Sequence, residues 1–360
     1  MNLIDFNYIN TKDKELTKLF INSKDIKKYI LGINKFGKAV SKHIEVDGII
    51  DDFTRVQSSR KKDILKIEDV AKENSIILSV STGSPLEVKN RLDELGYKNF
   101  NYLSFFNYSK LPLPAPIFMD DFKEDFLKNK EQYKKTYELL KDKKSKEVFE
   151  KVINFKISYD LEFMQGFTND HENQYFDKEI VPYIKNINFL DGGAYVGDTL
   201  EYILKNYPDY KKIYCVEPSL LHINIAKREN PDLKNVEFIN CGIGNKTQLI
   251  EDKLDEVQNN CKHDYQTQNI NTIDKLIKEK IDFIKLDIEG DEIKALEGAK
   301  ATIKQYHPIL AICVYHKASD WYEVPNLILE IRKDYDIYLR HYMEGIYETV
   351  MYFIPKDSKV

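Results

Sequence analysis

Short apolar runs alternate with amphipathic stretches along residues 28–105: Tyr29-Ile30-Leu31-Gly32, then Gly48-Ile49-Ile50-Asp51, then Ile76-Ile77-Leu78-Ser79-Val80. Strand and helix signals in that alternation predict a small parallel α/β unit. It should end at Leu111-Pro112-Leu113-Pro114-Ala115-Pro116, because repeated proline can continue neither a helix nor a central strand. From about 120 to 165 the period becomes helical, with Phe122 and Phe126, then Tyr133 and Tyr137, four apart. The run Lys141 to Glu147 reads as a solvated helix end. A second α/β series follows, with strands expected at 187–191, 212–216, 235–240, 283–287 and 309–314 and a helix near 320–334. The last runs, Ile337-Tyr338-Leu339 and Thr349 to Ile354, are close enough to pair antiparallel at a sheet edge.

These signals divide the chain into an N-terminal α/β domain (1–112), a helical bridge (113–180) and a C-terminal α/β domain (181–360). The longest apolar run, Ile309 to Tyr315, is seven residues, far short of the roughly 20 that cross a bilayer. Met1-Asn2-Leu3-Ile4-Asp5 opens without an apolar signal core, so a cytoplasmic location is expected. Fifty-four basic and 59 acidic residues give a net charge of −5, and no basic face for nucleic acid is implied. Cys215, Cys241, Cys261 and Cys313 are spaced neither as a zinc site nor as a disulfide framework.

The candidate chemistry begins at Asn188-Phe189-Leu190-Asp191-Gly192-Gly193-Ala194-Tyr195-Val196-Gly197-Asp198-Thr199, which joins the first strand of the second series to its helix. Its glycines let backbone approach a ligand closely, at the carboxyl end of a strand where open α/β sheets bind small molecules. Glu217 ends the next strand, 26 residues after Asp191, where an acid can hydrogen-bond ribose hydroxyls. Asp191 and Asp198 flank a loop with no phosphate-binding Lys, so a cationic nucleoside such as S-adenosylmethionine fits better than a pyrophosphate. Asp198 as a plain helix cap is the other reading.

These residues resemble the FkbM family of class I S-adenosylmethionine-dependent methyltransferases. The likeness rests on Phe189 to Asp198, Val216-Glu217-Pro218, Ile284-Lys285-Leu286-Asp287-Ile288-Glu289-Gly290 with Ala295 to Ala299, Val314-Tyr315-His316, and the lead-in Gln174-Tyr175-Phe176-Asp177. It covers about residues 170–355. The resemblance implies a Rossmann-like seven-stranded sheet with an antiparallel edge strand, preceded here by a smaller Rossmann-like α/β domain. It implies S-adenosylmethionine as cofactor, held by Asp191, Gly192, Gly193, Ala194, Gly197, Asp198, Glu217, Pro218, Cys241 and Gly242.

For a hydroxyl acceptor, His316 is the expected general base, a histidine that bonds a loop being the other reading, and Asp287 at the neighbouring strand end would orient either His316 or the cofactor amino group. Asp287 and Glu289 lack a third ligand at diagnostic spacing, so no metal is expected. Tyr175, Tyr315, Arg340 and His341 are the candidate acceptor contacts, and Trp321, Tyr322 and Tyr342 supply further aromatic surface. Arg340, one of six Arg, leaves an anionic acceptor open.

In the first domain, Gly32-Ile33-Asn34-Lys35-Phe36-Gly37 with Asp51 and Asp52 is half of a dinucleotide fingerprint. Ser79, Ser81, Thr82, Gly83 and Ser84 form a polar loop beside it. The expected activity is O-methylation of a sugar or other small hydroxylated acceptor in surface-polysaccharide or secondary metabolism, with homo-oligomerisation open. The alternatives are a nicotinamide-dependent oxidoreductase using the first domain and a non-catalytic binding module.

Overall fold

The computed structural model describes residues 1–5, 7–52, 64–253 and 265–356. Arg55, Arg60 and Cys261 lie outside the described residues. The chain divides into two compact units: Met1–Lys128 with Glu147–Asn169 and Tyr342–Tyr347, and Asn129–Lys146 with Asp170–His341 and Glu348–Val360. They are not the consecutive blocks read from the sequence, since the bridge segment is shared between them.

The first unit is built on five strands, β1 (Lys27–Leu31), β2 (Gly48–Ile50), β3 (Ile64–Leu65), β4 (Ser75–Ser79) and β5 (Asn99–Asn101). They form a parallel sheet in the order β3-β2-β1-β4-β5. The three strands expected there are present. β3 has two residues and β5 reads Asn-Phe-Asn, so neither carries an apolar run. Ile30, Ile76, Leu78 and Val80 are fully buried against Phe20, Phe100 and Phe105, the residues that close one side of the core.

Both helix starts at the carboxyl end of this sheet are capped from within. Asn34 Oδ1 accepts from the amides of Phe36 and Gly37 at 2.9 and 3.1 Å, while its Nδ2 donates to the Val80 carbonyl. At helix Pro85–Glu94 the Glu344 carboxylate accepts from Leu86 and Glu87. Asp52 is paired with Arg91 at 2.6 Å. The amides and the acid that a dinucleotide would need are thus engaged by the protein itself.

The second unit carries β6 (Asn188–Gly192), β7 (Lys212–Glu217), β8 (Val236–Asn240), β9 (Gly242–Ile243), β10 (Gln248–Lys253), β11 (Tyr265–Asn271), β12 (Phe283–Leu286), β13 (Ile309–Cys313), β14 (Tyr335–His341) and β15 (Thr349–Pro355). Seven of them form one sheet in the order β14-β15-β13-β12-β6-β7-β8. β13, β12, β6, β7 and β8 are parallel, and β15 is antiparallel to both its neighbours. The expected antiparallel pair is therefore present, with β15 one place in from the edge and β14 outermost. β6, β12 and β13 are buried at every position, as strands covered on both faces must be. Phe189 and Phe283 stack at 4.6 Å across β6 and β12.

A small second sheet, β10-β11-β9, was not foreseen. Its strands read Gln-Leu-Ile-Glu-Asp-Lys and Tyr-Gln-Thr-Gln-Asn-Ile-Asn, with no apolar alternation to reveal them.

Candidate active site

The β6–β7 turn is fixed by its glycines. Gly193 (φ +78°) and Gly197 (φ +83°) occupy the left-handed region, and a Cβ on Gly193 would lie 1.8 Å from the Asp287 carbonyl oxygen. The amides of Gly193 and Ala194 both donate to the Val216 carbonyl, at 3.0 and 3.1 Å, which folds the turn onto β7. Glu217, at the end of β7, accepts from the amides of Tyr195 at 3.2 Å and Ser219 at 2.9 Å. That holds its carboxylate still while leaving further lone pairs for a ligand hydroxyl.

Beyond this turn lies a cavity of about 950 Å³. Of the residues expected to hold a cofactor, Gly193, Asp198, Glu217, Pro218, Cys241 and Gly242 line it. Asp191, Gly192, Ala194 and Gly197 are not among the residues that line it. Asp191 is fully buried and paired with Lys285 at 2.8 Å. A Cβ on Gly192 would meet Leu286 at 2.7 Å and Ile243 at 2.9 Å. Ala194 is buried and Gly197 faces Leu200 and Ala226, so these positions shape the turn from behind.

Asp287 stands just past β12 and lines the cavity. Tyr175 donates its phenol hydrogen to Asp287 Oδ2 and Tyr315 donates to Oδ1, each at 3.0 Å. Burial, reinforced by Asp287, pushes both phenols upward, so they remain protonated donors. Tyr175 and Tyr315 line the cavity.

His316 is placed differently from the expectation. It does not line the cavity, and its side chain is 1% exposed. Nδ1 lies 3.0 Å from Glu292 Oε1 and Nε2 lies 3.4 Å from Asp287 Oδ1. Burial pulls the imidazole down, but Glu292, Asp287 and Glu289 outweigh it and hold it above its ordinary value. Both ring nitrogens thus face carboxylates of the protein itself. The ring stands behind Asp287, between it and Glu292.

Arg340 and His341 are also away from the cavity. The Arg340 guanidinium is buried, 3.0 Å from Asp177 and 2.7 Å from Asp142, and it donates to Ser145 Oγ at 2.9 Å. His341 Nδ1 meets Thr349 Oγ1 at 2.8 Å across the β14–β15 pair. Trp321 is fully buried in helix Asp320–Ile331, where it fills core.

The sequence reading gave no role to several groups that matter here. Lys285, quoted only as part of a motif, donates from Nζ to the Gly193 carbonyl at 2.8 Å as well as pairing with Asp191. Burial works against its charge, yet Asp191 and Asp287 hold it above its ordinary value. Glu348, just before β15, lines the cavity and accepts from Gln174 Nε2. Glu201 and Asp291 add carboxylates to the wall. Four lining residues other than glycine have left-handed backbone, Tyr175 (+70°), Tyr195 (+43°), Glu289 (+57°) and Glu348 (+65°). Such conformations cost about 1–3 kcal/mol each and gather at ligand sites.

Residues 191–342 match the profile of the methyltransferase FkbM domain. A methyltransferase FkbM from Methylobacillus flagellatus KT superposes with a TM-score of 0.76 at 22% identity, over 96% of this chain and 94% of that one. A putative methyltransferase from Streptococcus mutans in complex with SAH aligns with a TM-score of 0.34 at 16% identity, over 51% of this chain and 94% of that one. No curated protein matches the chain. Residues 191–342 thus form a methyltransferase FkbM domain, and the chain that carries it is an S-adenosylmethionine-dependent methyltransferase.

Proposed function

We propose that the chain is a cytoplasmic O-methyltransferase that binds S-adenosylmethionine in the cavity of its second unit. Its acceptor is a neutral, hydroxyl-rich molecule such as a sugar, in surface-polysaccharide or secondary metabolism. The observation that carries this reading is the charge of the wall. Asp198, Glu201 and Glu217 from the first half of the site, and Asp287, Glu289, Asp291 and Glu348 from the second, face one cavity. The lining holds a single Lys or Arg, Lys285, whose ammonium is paired with Asp191. Such a wall of carboxylates suits a sulfonium cation and disfavours an anionic acceptor. Arg340, the reason to consider an anionic acceptor, is engaged with Asp142 and Asp177.

Gly193 and the turn around it would hold the amino-acid part of the cofactor, Glu217 its ribose, and Cys241 with Gly242 its base. Bound there, S-adenosylmethionine supplies an electrophilic methyl group. The chain's own work is to orient the acceptor against Asp287, Tyr175 and Tyr315, to exclude water and to receive a proton.

Calorimetric titration of S-adenosylmethionine and its demethylated product, S-adenosylhomocysteine, tests the reading beside Gly193→Arg and Glu217→Ala variants and an NADH control. Saturable binding by the wild type that both variants lose is expected. An NADH signal without binding of either methionine nucleoside would overturn it.

A further inference from the structure

Glu348 lies in a stretch, Glu344-Gly345-Ile346-Tyr347-Glu348-Thr349, that carries no recognisable motif. Its backbone is left-handed and its side chain reaches the cavity wall. A Glu348 carboxylate oxygen, an Asp287 carboxylate oxygen and Cys313 Sγ all lie within 4.8 Å of one another. Out of bulk water, the Asp287 carboxylate beside it favours the protonated form of Glu348.

The two carboxyls differ in their hydrogen bonds. Asp287 receives two phenol donors, from Tyr175 and Tyr315. Glu348 receives the neutral amide of Gln174. The other groups facing Glu348 are Lys285 from β12, Cys313 from β13, and Tyr175, Tyr315 and His316 from the adjoining loops. Lys285 and His316 favour its ionised form, while Cys313 and the two tyrosines stay protonated. Burial first, and then Asp287, outweigh the two cations and push the Glu348 carboxyl up to about 7.

We propose that Glu348 is the group that takes the proton of the acceptor hydroxyl, with Asp287, held by Tyr175 and Tyr315, beside it. The assignment rests on the methyltransferase reading above. The acceptor oxygen forms its bond to the methyl carbon as the carbon–sulfur bond breaks, the electron pair of that bond stays on sulfur, and the hydroxyl proton passes to Glu348. A carboxyl that titrates near neutrality is matched to this task, whereas an ordinary glutamate is a weaker base. A cation in the cavity favours the Glu348 anion, so loading a sulfonium drives the carboxyl into its basic form. The neutral thioether product does not.

That difference is measurable without knowing the acceptor. S-adenosylmethionine and S-adenosylhomocysteine are titrated calorimetrically at pH 7 in phosphate and in Tris, whose ionisation heats differ, so that proton release can be counted. Wild-type protein should release up to about half a proton more with the sulfonium than with the thioether. In Glu348→Gln that excess should disappear while S-adenosylhomocysteine affinity stays within about twofold, which also reports that the variant is folded. In Asp287→Asn the excess should move to lower pH, because the neighbouring charge that raises Glu348 is gone. An excess that persists in Glu348→Gln, or that is missing in wild type although both ligands bind, overturns the assignment alone. Failure of wild type to bind either ligand removes the methyltransferase reading and this assignment with it.

Discussion

Lys285 and Asp191 are register partners across β12 and β6, and their side chains meet at 2.8 Å with almost no exposure to solvent. The same ammonium donates to the Gly193 carbonyl, so one cation joins two central strands and fastens the turn between β6 and β7. Taking away one partner of a buried pair leaves the other charge unpaired and costs about 3–5 kcal/mol. Lys285→Met should therefore lower the unfolding free energy by about that amount in denaturant titration. The double variant Lys285→Met/Asp191→Leu should lose less than the sum of the two single changes. Strict additivity would show that the pair does not act as a unit.

Gly193→Ala is predicted to abolish binding of S-adenosylhomocysteine, because the added Cβ would collide with the Asp287 carbonyl oxygen and φ there is +78°. Gly83→Ala is the matched control. A Cβ at Gly83 meets nothing within 4 Å, and its effect on stability should be within about 0.5 kcal/mol. Calorimetry and thermal unfolding on both variants check this; tight binding by Gly193→Ala would refute the geometry of the turn.

His316 should reveal itself through stability and its dependence on pH. Its imidazole is held above the ordinary value by Glu292, Asp287 and Glu289 against the effect of burial. A folded-state value above the unfolded one contributes stability that is complete below the unfolded value and is lost as pH rises through the folded one. The gap in unfolding free energy between wild type and His316→Gln should thus be wider at about pH 6 than at about pH 9. A gap that widens with pH would restore His316 as a neutral base.

Arg340→Ala should act on folding and leave the cofactor alone. Its guanidinium is 2.7 Å from Asp142 and 3.0 Å from Asp177, and the loss should cost about 3–5 kcal/mol. Arg340→Lys should recover only part of it, because an ammonium cannot reproduce the planar fork. Chemical denaturation reads the first effect, and unchanged S-adenosylhomocysteine affinity reads the second.

How far the sequence reaches can be judged at particular positions. Glu217 and Gly193 were readable because backbone conformation and a strand end restrict which residues serve there. Lys285 was readable in principle. A lysine inside Phe-Ile-Lys-Leu, in a strand buried on both faces, needs an acid, and Asp191 holds the equivalent place in Asn-Phe-Leu-Asp-Gly. The misplacement of His316 has a different cause. Glu292, its ion-pair partner, enters from the helix Glu292–Glu297, a tertiary relation that no local spacing encodes. Glu348 was invisible for the same reason, since its neighbours Gln174 and Asp287 are far away in sequence. Arg340 misled because rarity was taken as a sign of ligand binding, while its chemistry is spent on Asp142 and Asp177.

The division of the chain bears on how such an enzyme is inherited. The path passes between the two units at 128/129, 146/147, 169/170, 341/342 and 347/348. Asp142 and Ser145, which hold Arg340, and Tyr133, whose hydroxyl donates to the Ala318 carbonyl at 2.7 Å, all precede the glycine turn by dozens of residues. No single genetic crossover can exchange one unit and leave the other whole. A recombination joint between residues 145 and 340 would separate the buried Arg340 from the parental Asp142 and Ser145. The two units are therefore inherited as one interleaved stretch of sequence.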